Sequence, residues 1–233
     1  QSARISAKLG PFAGYALNRE SFLEVMRMHR AALQSINPNC VPADLMKSTQ
    51  ECWDLAVLEG TVHGFRNAQT TVLAPTGTIG FMMDCDTTGV EPDIALIKYK
   101  KLVGGGLLKI VNNTVPRALK RLGYDAKQIE EIYEYIKEHE TIEGAPHVRD
   151  EDLAVFDCAF KPKNGSRTIH FMGHVRMMGA VQPFISGAIS KTINVAADTP
   201  FEHFENLYRQ AHALGLKGCT VFRPNPVRGV ACR

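Results

Sequence analysis

The chain has 233 residues, 45% of them hydrophobic, and sets 27 Lys and Arg against 24 Asp and Glu for a formal net charge of +3. That length allows one large domain or two small ones with a buried core. The small, dispersed charge argues against a nucleic-acid surface. No apolar run reaches membrane-spanning length, and the N-terminus lacks the pattern of a signal peptide. Neither a nucleic acid nor a membrane is therefore expected as a partner, and the expected location is the cytoplasm.

The first helix is predicted from about Arg19 to Leu33, where Phe22, Leu23 and Met26 alternate at helical period with His29 and Arg30. Asn37-Pro38-Asn39-Cys40 reads as a loop. A second helix is predicted from about Ala43 to His63, stopped by Gly64, with Trp53 and Val57 four apart as a packing pair. The β-branched run Thr70-Thr71-Val72-Leu73 then predicts a strand.

That strand leads into Ala74-Pro75-Thr76-Gly77-Thr78-Ile79-Gly80, which concentrates backbone N–H groups and two hydroxyls at one point. Such a loop is an anion nest: Pro75 fixes the turn, and Gly77 and Gly80 let backbone approach a ligand without an intervening Cβ. It is neither a Walker loop nor a G-x-G-x-x-G fingerprint, and an ordinary turn with capping threonines accounts for the same residues.

From Gly80 to Val90 the sequence is irregular and rich in Asp, Thr and Gly, as in the rim of a site. Gly104-Gly105-Gly106 predicts a flexible joint before a helix from Leu107 to Leu122, broken or kinked by Pro116 near Val115. Asp125 and Gln128 form a capping box for a helix through Glu138. Met177 to Asn194 begins helix-like and passes through Gln182-Pro183-Phe184 into Ser186-Gly187-Ala188-Ile189-Ser190-Lys191-Thr192. Those residues are either donors for a second polar ligand or a helix-to-strand connection with Lys191 in solvent. Thr199-Pro200-Phe201-Glu202 starts a helix that ends at Gly215, and Gly218 to Phe222 is a short strand. Strands at Thr70–Leu73, Ile189–Val195 and Thr220–Phe222, separated by helices, predict an α/β fold with mainly parallel pairing. They are too few for a complete barrel or doubly wound sheet, so the chain reads as part of a larger α/β domain.

The six cysteines, at 40, 52, 85, 158, 219 and 232, include no C-x-x-C pair and are expected as reduced thiols. Cys52 and Cys219 are expected as small buried hydrophobes. Asp84 and Asp86 flank Cys85 and disfavour its thiolate, which makes it a poor nucleophile. His170 and His174 stand four apart without a third ligand in metal-protease spacing, so no metal is expected there.

Three stretches resemble the large catalytic chain of class II, adenosylcobalamin-dependent ribonucleotide reductases. They are Asn67 to Asp93, which contains Ala74-Pro75-Thr76-Gly77-Thr78-Ile79-Gly80 and Gly89-Val90-Glu91-Pro92-Asp93; Lys98 to Gly106; and Gln182 to Thr192. They occur in that family's order, and the similarity runs from about Leu17 to Arg223. The resemblance implies a ten-stranded α/β barrel of two five-stranded halves, of which residues 1–223 would be the C-terminal portion and 224–233 a tail. It also implies radical reduction of the ribose 2′-OH of a ribonucleoside di- or triphosphate, giving deoxyribonucleotides for DNA synthesis. Pro75, Thr76, Gly77, Thr78 and Ile79 inherit the binding of substrate phosphates, with backbone N–H groups and the two hydroxyls meeting phosphate oxygens.

The family's Asn, radical Cys and Glu of the finger loop, and its reducing cysteine pair, have no counterparts here. In Asn37-Pro38-Asn39-Cys40 the residues that follow are Val41 and Pro42, where an acid would be needed. No catalytic residue is therefore assigned. Adenosylcobalamin is expected to be bound mainly by sequence outside this chain, and the expected partners are a ribonucleotide and the N-terminal remainder of the catalytic chain, homo-oligomeric when complete. Ala231-Cys232-Arg233 offers one cysteine where the family's tails often carry a pair. Val221-Phe222-Arg223 lacks the paired tyrosines of the class I radical relay, which favours the cobalamin class. The second reading is a non-catalytic nucleotide-binding or docking subunit of a split reductase.

Overall fold

Several helix-end signals hold, although the helix predicted from Arg19 begins earlier, at Tyr15, and the helix over Ser2–Leu9 has no counterpart among the predicted elements. In the computed structural model, which describes residues 1–102 and 106–223, α1 spans Ser2–Leu9, α2 Tyr15–Ala31 and α3 Ala43–His63. Gly64 ends α3 at φ 68°, a left-handed conformation that suits glycine. After α2 the chain tightens into a 3-10 turn over Ala32–Ser35. Asn37 then caps a second such turn, Pro38–Cys40, by accepting a hydrogen bond from the Asn39 N–H, so this stretch is a local connection between helices.

The chain divides into two units. The first comprises Gln1–Ala74, Arg176–Ile189 and Asn206–Cys219. Its core joins Ala3, Tyr15, Leu23, Met26 and Phe65, with Phe12, Phe22, Trp53 and Val57 packed around them. Gly60 of α3 is required by close approach: a Cβ there would lie 2.2 Å from the Phe65 ring. The Phe22 and Phe65 rings sit 4.9 Å apart, and the Tyr15 hydroxyl donates to the Gly60 carbonyl at 3.3 Å.

The second unit comprises Pro75–Val175, Ser190–Glu205 and, at the end of the described residues, 220–223. It contains α4 (Gly77–Met82), β1 (Ile97–Leu102), β2 (Gly106–Val111), α5 (Val115–Arg121) and α6 (Ala126–His139). β1 and β2 pair antiparallel in the register Ile97↔Val111 to Leu102↔Gly106. The predicted helix over Leu107–Leu122 is therefore half correct. Its first part is a strand, because Ile110 and Val111 are β-branched and the run pairs along its length with Ile97–Leu102. Pro116 lies in the first turn of α5, where its missing N–H costs nothing, so the break expected near Val115 falls between β2 and α5. Gly104 and Gly105 of the predicted joint lie outside the described residues.

Ile97, Val111, Val115, Leu119, Ile132, Ile136 and Phe156 form the core of this unit, with α5 and α6 against the hairpin. The capping box of α6 is complete: Asp125 accepts from the Gln128 N–H at 2.9 Å and the Gln128 side chain accepts from the Asp125 N–H at 3.0 Å. β3 (Thr192–Asn194) and β4 (Thr220–Phe222) pair in parallel, as predicted, with Ile193 fully buried. α7 (Phe171–Val181) ends in the 3-10 turn Gln182–Phe184, and α8 spans Phe201–Ala213, with Gly215 beyond it at φ 73°.

Thr70–Leu73 is not a strand; its threonine hydroxyls bond side chains, Thr70 to the Met26 sulfur at 3.7 Å and Thr71 to Ser186 at 3.1 Å, in place of a backbone ladder. Among the described residues no helix is long and apolar enough to cross a membrane. Replacing Asp125 by Ala removes one half of the capping box and is expected to lower stability by about 1 kcal/mol. Urea unfolding should read this as a lower midpoint with unchanged slope, and Asp125→Asn, whose amide oxygen can accept the same bond, should show little of the loss.

Candidate phosphate-binding loop

Pro75, Thr76, Gly77, Thr78 and Ile79 form a tight turn followed by the first residues of α4. The first intrahelical bond is made by the Gly80 N–H to the Thr76 carbonyl at 2.7 Å, so the amides of Gly77, Thr78 and Ile79 precede it and have no helical acceptor. Thr76 itself is left-handed at φ 50°, unusual for a β-branched residue. It is held there by the Gly89 N–H, which donates to Thr76 Oγ1 at 2.7 Å and leaves the hydroxyl proton available to another acceptor. A Cβ on Gly77 would meet nothing within 4 Å, whereas one on Gly80 would come within 2.9 Å of the Thr88 methyl. Gly77 therefore faces open space and Gly80 is required by packing. Thr78 is exposed and Ile79 is 55% exposed. The predicted loop thus gains a short helix, and the predicted irregular rim from Gly80 to Val90 folds back onto it.

Sequence reasoning missed what holds that rim. Lys98 Nζ bonds the Asp86 carbonyl and pairs with Asp93 at 3.0 Å, and Asn112 donates to the same Asp93 carboxylate. Glu91 accepts from Lys191 Nζ at 2.7 Å and from the Thr192 N–H at 2.6 Å. The Lys191 side chain is only 1% exposed, so the solvent-facing lysine of the helix-to-strand alternative is overturned: its carboxylate partner lies 100 residues away, beyond the reach of local pattern.

The donors of the 182–192 stretch are likewise used internally. The His29 Nδ1–H donates to the Pro183 carbonyl at 2.5 Å, since a carbonyl can only accept, and His29 Nε2 lies 3.2 Å from the Ser186 hydroxyl. The Ser186 N–H donates to Thr71 Oγ1 at 3.0 Å. Gln182, buried, donates to the carbonyls of Ile185 and Gly187 and accepts from the Lys217 N–H. Residues 182–187 of this stretch thus bond within the first unit.

The expectation for Cys52 is corrected: it lies on the exposed side of α3, away from the face that carries Trp53 and Val57 into the core. Cys219 is partly buried, Cys40 and Cys85 are exposed, and Cys232 lies outside the described residues. Cys158 is the deeply buried thiol. Burial, reinforced by Asp93 and Asp157, pushes it up to about 12. His170 precedes α7 and accepts the Met172 N–H at 3.2 Å, while His174 is inside the helix and 2% exposed, so the two do not act as a pair. Among the described residues no group of three His, Cys, Asp or Glu could hold a metal ion. His174 Nε2 is enclosed without a hydrogen-bond partner in the described structure. Burial, with the Lys191 ammonium adding to it, pushes this imidazole down to about 4.

The unfolded chain, with His174 near its ordinary value of 6.5, binds a proton that the folded chain refuses until about pH 4. Stability contributed by the neutral imidazole is therefore present above pH 6.5 and lost as pH falls towards 4, by on the order of 3 kcal/mol. Thermal unfolding across that window should show a steep pH dependence that flattens in His174→Leu. Thiol alkylation of the folded chain should modify Cys40, Cys52 and Cys85 and spare Cys158 until it is unfolded.

A family model described as "Ribonucleotide reductase, barrel domain" matches residues 1–222. The vitamin B12-dependent ribonucleotide reductase of Rhodopirellula baltica is 55% identical over 222 residues, covering 95% of this chain and 21% of that protein. The corresponding protein of Streptantibioticus cattleyicolor is 50% identical over 228 residues, covering 97% of this chain and 37% of its own length. Among solved structures, the Actinobacillus ureae class Id ribonucleotide reductase alpha subunit aligns with a TM-score of 0.52 at 21% identity, over 89% of this chain and 36% of that one, a likeness of fold. The chain thus corresponds to a portion of a larger reductase chain, spanning between about a fifth and two-fifths of these two relatives. With two two-stranded sheets and no closed barrel among its described residues, it has the mixed α/β character of an incomplete barrel. The chain belongs to the ribonucleotide reductase barrel-domain family.

Proposed function

We propose that this chain is the C-terminal portion, residues 1–223 with a tail at 224–233, of the catalytic barrel of an adenosylcobalamin-dependent ribonucleotide reductase, and that Pro75, Thr76, Gly77, Thr78 and Ile79 hold the substrate's phosphates. The observation that supports this best is the cluster of unused donors: three consecutive amides, at Gly77, Thr78 and Ile79, beside the hydroxyls of Thr76 and Thr78. Anionic oxygens accept such bonds in short, charge-assisted form. Fixing the phosphates fixes where the ribose lies, which is the loop's contribution to a reaction at the sugar.

The names of the relatives carry the cofactor reading. His174, whose Nε2 is buried without a partner, is enclosed where no macrocycle can approach and so is not offered as a cobalamin ligand. The cofactor and the radical cysteine are accordingly assigned to sequence outside this chain, and no chemical step is derived through them. The partners that follow are a ribonucleoside di- or triphosphate and the N-terminal remainder of the catalytic chain, in a cytoplasmic homo-oligomer without nucleic acid.

Calorimetric titration with nucleoside di- and triphosphates should show binding that weakens at least tenfold, about 1.4 kcal/mol, in Thr76→Val/Thr78→Val. Thr78→Val alone leaves the Gly89 bond to Thr76 intact and should give part of that loss. Given adenosylcobalamin, a dithiol and ribonucleotide, the chain should turn over only when complemented by the N-terminal portion. Normal turnover by the chain alone refutes the reading, and binding without complementation favours a nucleotide-binding or docking subunit.

A further inference from the structure

We propose that Glu91, through its ion pair with the buried Lys191, is the positioning residue that holds the Thr76–Ile79 donors in their anion-binding arrangement. The inference rests on the phosphate role proposed for that loop. Thr76 occupies a left-handed conformation that a β-branched residue does not keep unaided, and the group that holds it is the Gly89 N–H, 2.7 Å from Thr76 Oγ1. The Gly89 amide is fixed only as well as the chain that carries it. Two residues on, Glu91 anchors that chain three ways: its N–H donates to the Thr88 carbonyl at 3.1 Å, and its carboxylate accepts from Lys191 Nζ at 2.7 Å and the Thr192 N–H at 2.6 Å.

The far end of the tether is rigid. Thr192 begins β3, paired residue for residue with β4, and Lys191 Nζ also donates to the Thr192 carbonyl at 3.2 Å. With 1% of its side chain exposed, Lys191 cannot exchange Glu91 for water as a surface lysine would. The carboxylate therefore stays in place, and with it Gly89 and the backbone of Thr76. The other anchors of the rim, Asp86 and Asp93 with Lys98 and Asn112, lie on either side of this span and attach it to the hairpin, not to β3.

The test is made on the full-length chain with two readouts, amide hydrogen exchange of peptides covering residues 84–91 and binding of inorganic pyrophosphate. In Glu91→Gln the Gly89 amide should exchange at least tenfold faster while α6 amides stay protected, and pyrophosphate affinity should fall about tenfold. Glu91→Met/Lys191→Met removes both charges without stranding either. It should reproduce both changes and serves if the single variant does not fold. Unchanged Gly89 protection in a folded variant overturns the tether. Lost protection with unchanged pyrophosphate affinity overturns its role in positioning. If the unaltered chain binds no pyrophosphate yet Gly89 protection falls, the tether stands and the phosphate reading of the loop fails.

Discussion

An ammonium group with almost no exposed surface must have a counter-ion, and the second unit is arranged around that requirement. Lys191 gives up hydration worth several kcal/mol and recovers it through Glu91 and the Thr192 carbonyl. Removing one partner of such a pair costs about 3 to 5 kcal/mol when both are fully buried, and less here because Glu91 is 27% exposed. Burial keeps His174 neutral, and the same charge adds to that effect. A proton on that imidazole would place a second cation near Lys191 in a region that desolvates both, so the ring stays neutral. One buried charge thus adds to the burial that keeps a neighbour neutral and pins the segment leading back to Thr76.

The first unit solves a comparable problem without charge. His29, Ser186 and Thr71 form a chain of hydrogen bonds, and Gln182 and Lys217 satisfy the carbonyls of the turn that follows α7. These are the polar groups that look most like ligand donors in the sequence, and each already has an internal partner. The amide run at Gly77, Thr78 and Ile79, by contrast, has no helical acceptor. The contrast matters because a binding site needs donors that folding has not consumed.

Legibility followed the range of the interactions. The stop of α3 at Gly64, the capping box at Asp125 and Gln128, and the short strand at Thr220 depend on residues within a few positions, and all three were readable. Thr70–Leu73 has strand composition but forms side-chain bonds in place of a ladder, since composition cannot supply a pairing partner. Leu107–Val111 was mistaken for helix because a short apolar run fits either period, and the hairpin register with Ile97–Leu102 decides between them. Cys52 followed the same logic: its helix was correct, but which face is buried depends on α2 and Phe65. The loop's identity was legible as a motif. Its latch at Gly89 and its tether at Glu91 and Lys191 were not, because they join residues 13 and 100 positions apart.

The described thiols bear on the division between binding and chemistry proposed for this loop. Chemistry at a cysteine sulfur needs a site that is accessible to substrate yet tuned for reactivity, and the described thiols divide the wrong way. Cys158 is enclosed and pushed up to about 12, which leaves it inert, while Cys40, Cys52 and Cys85 lie open to solvent. Cys85, the one nearest the loop in sequence, is exposed and points its sulfur towards the Met83 carbonyl at 3.9 Å. On the phosphate role proposed for the loop, binding and sulfur chemistry therefore fall to separate segments of the barrel.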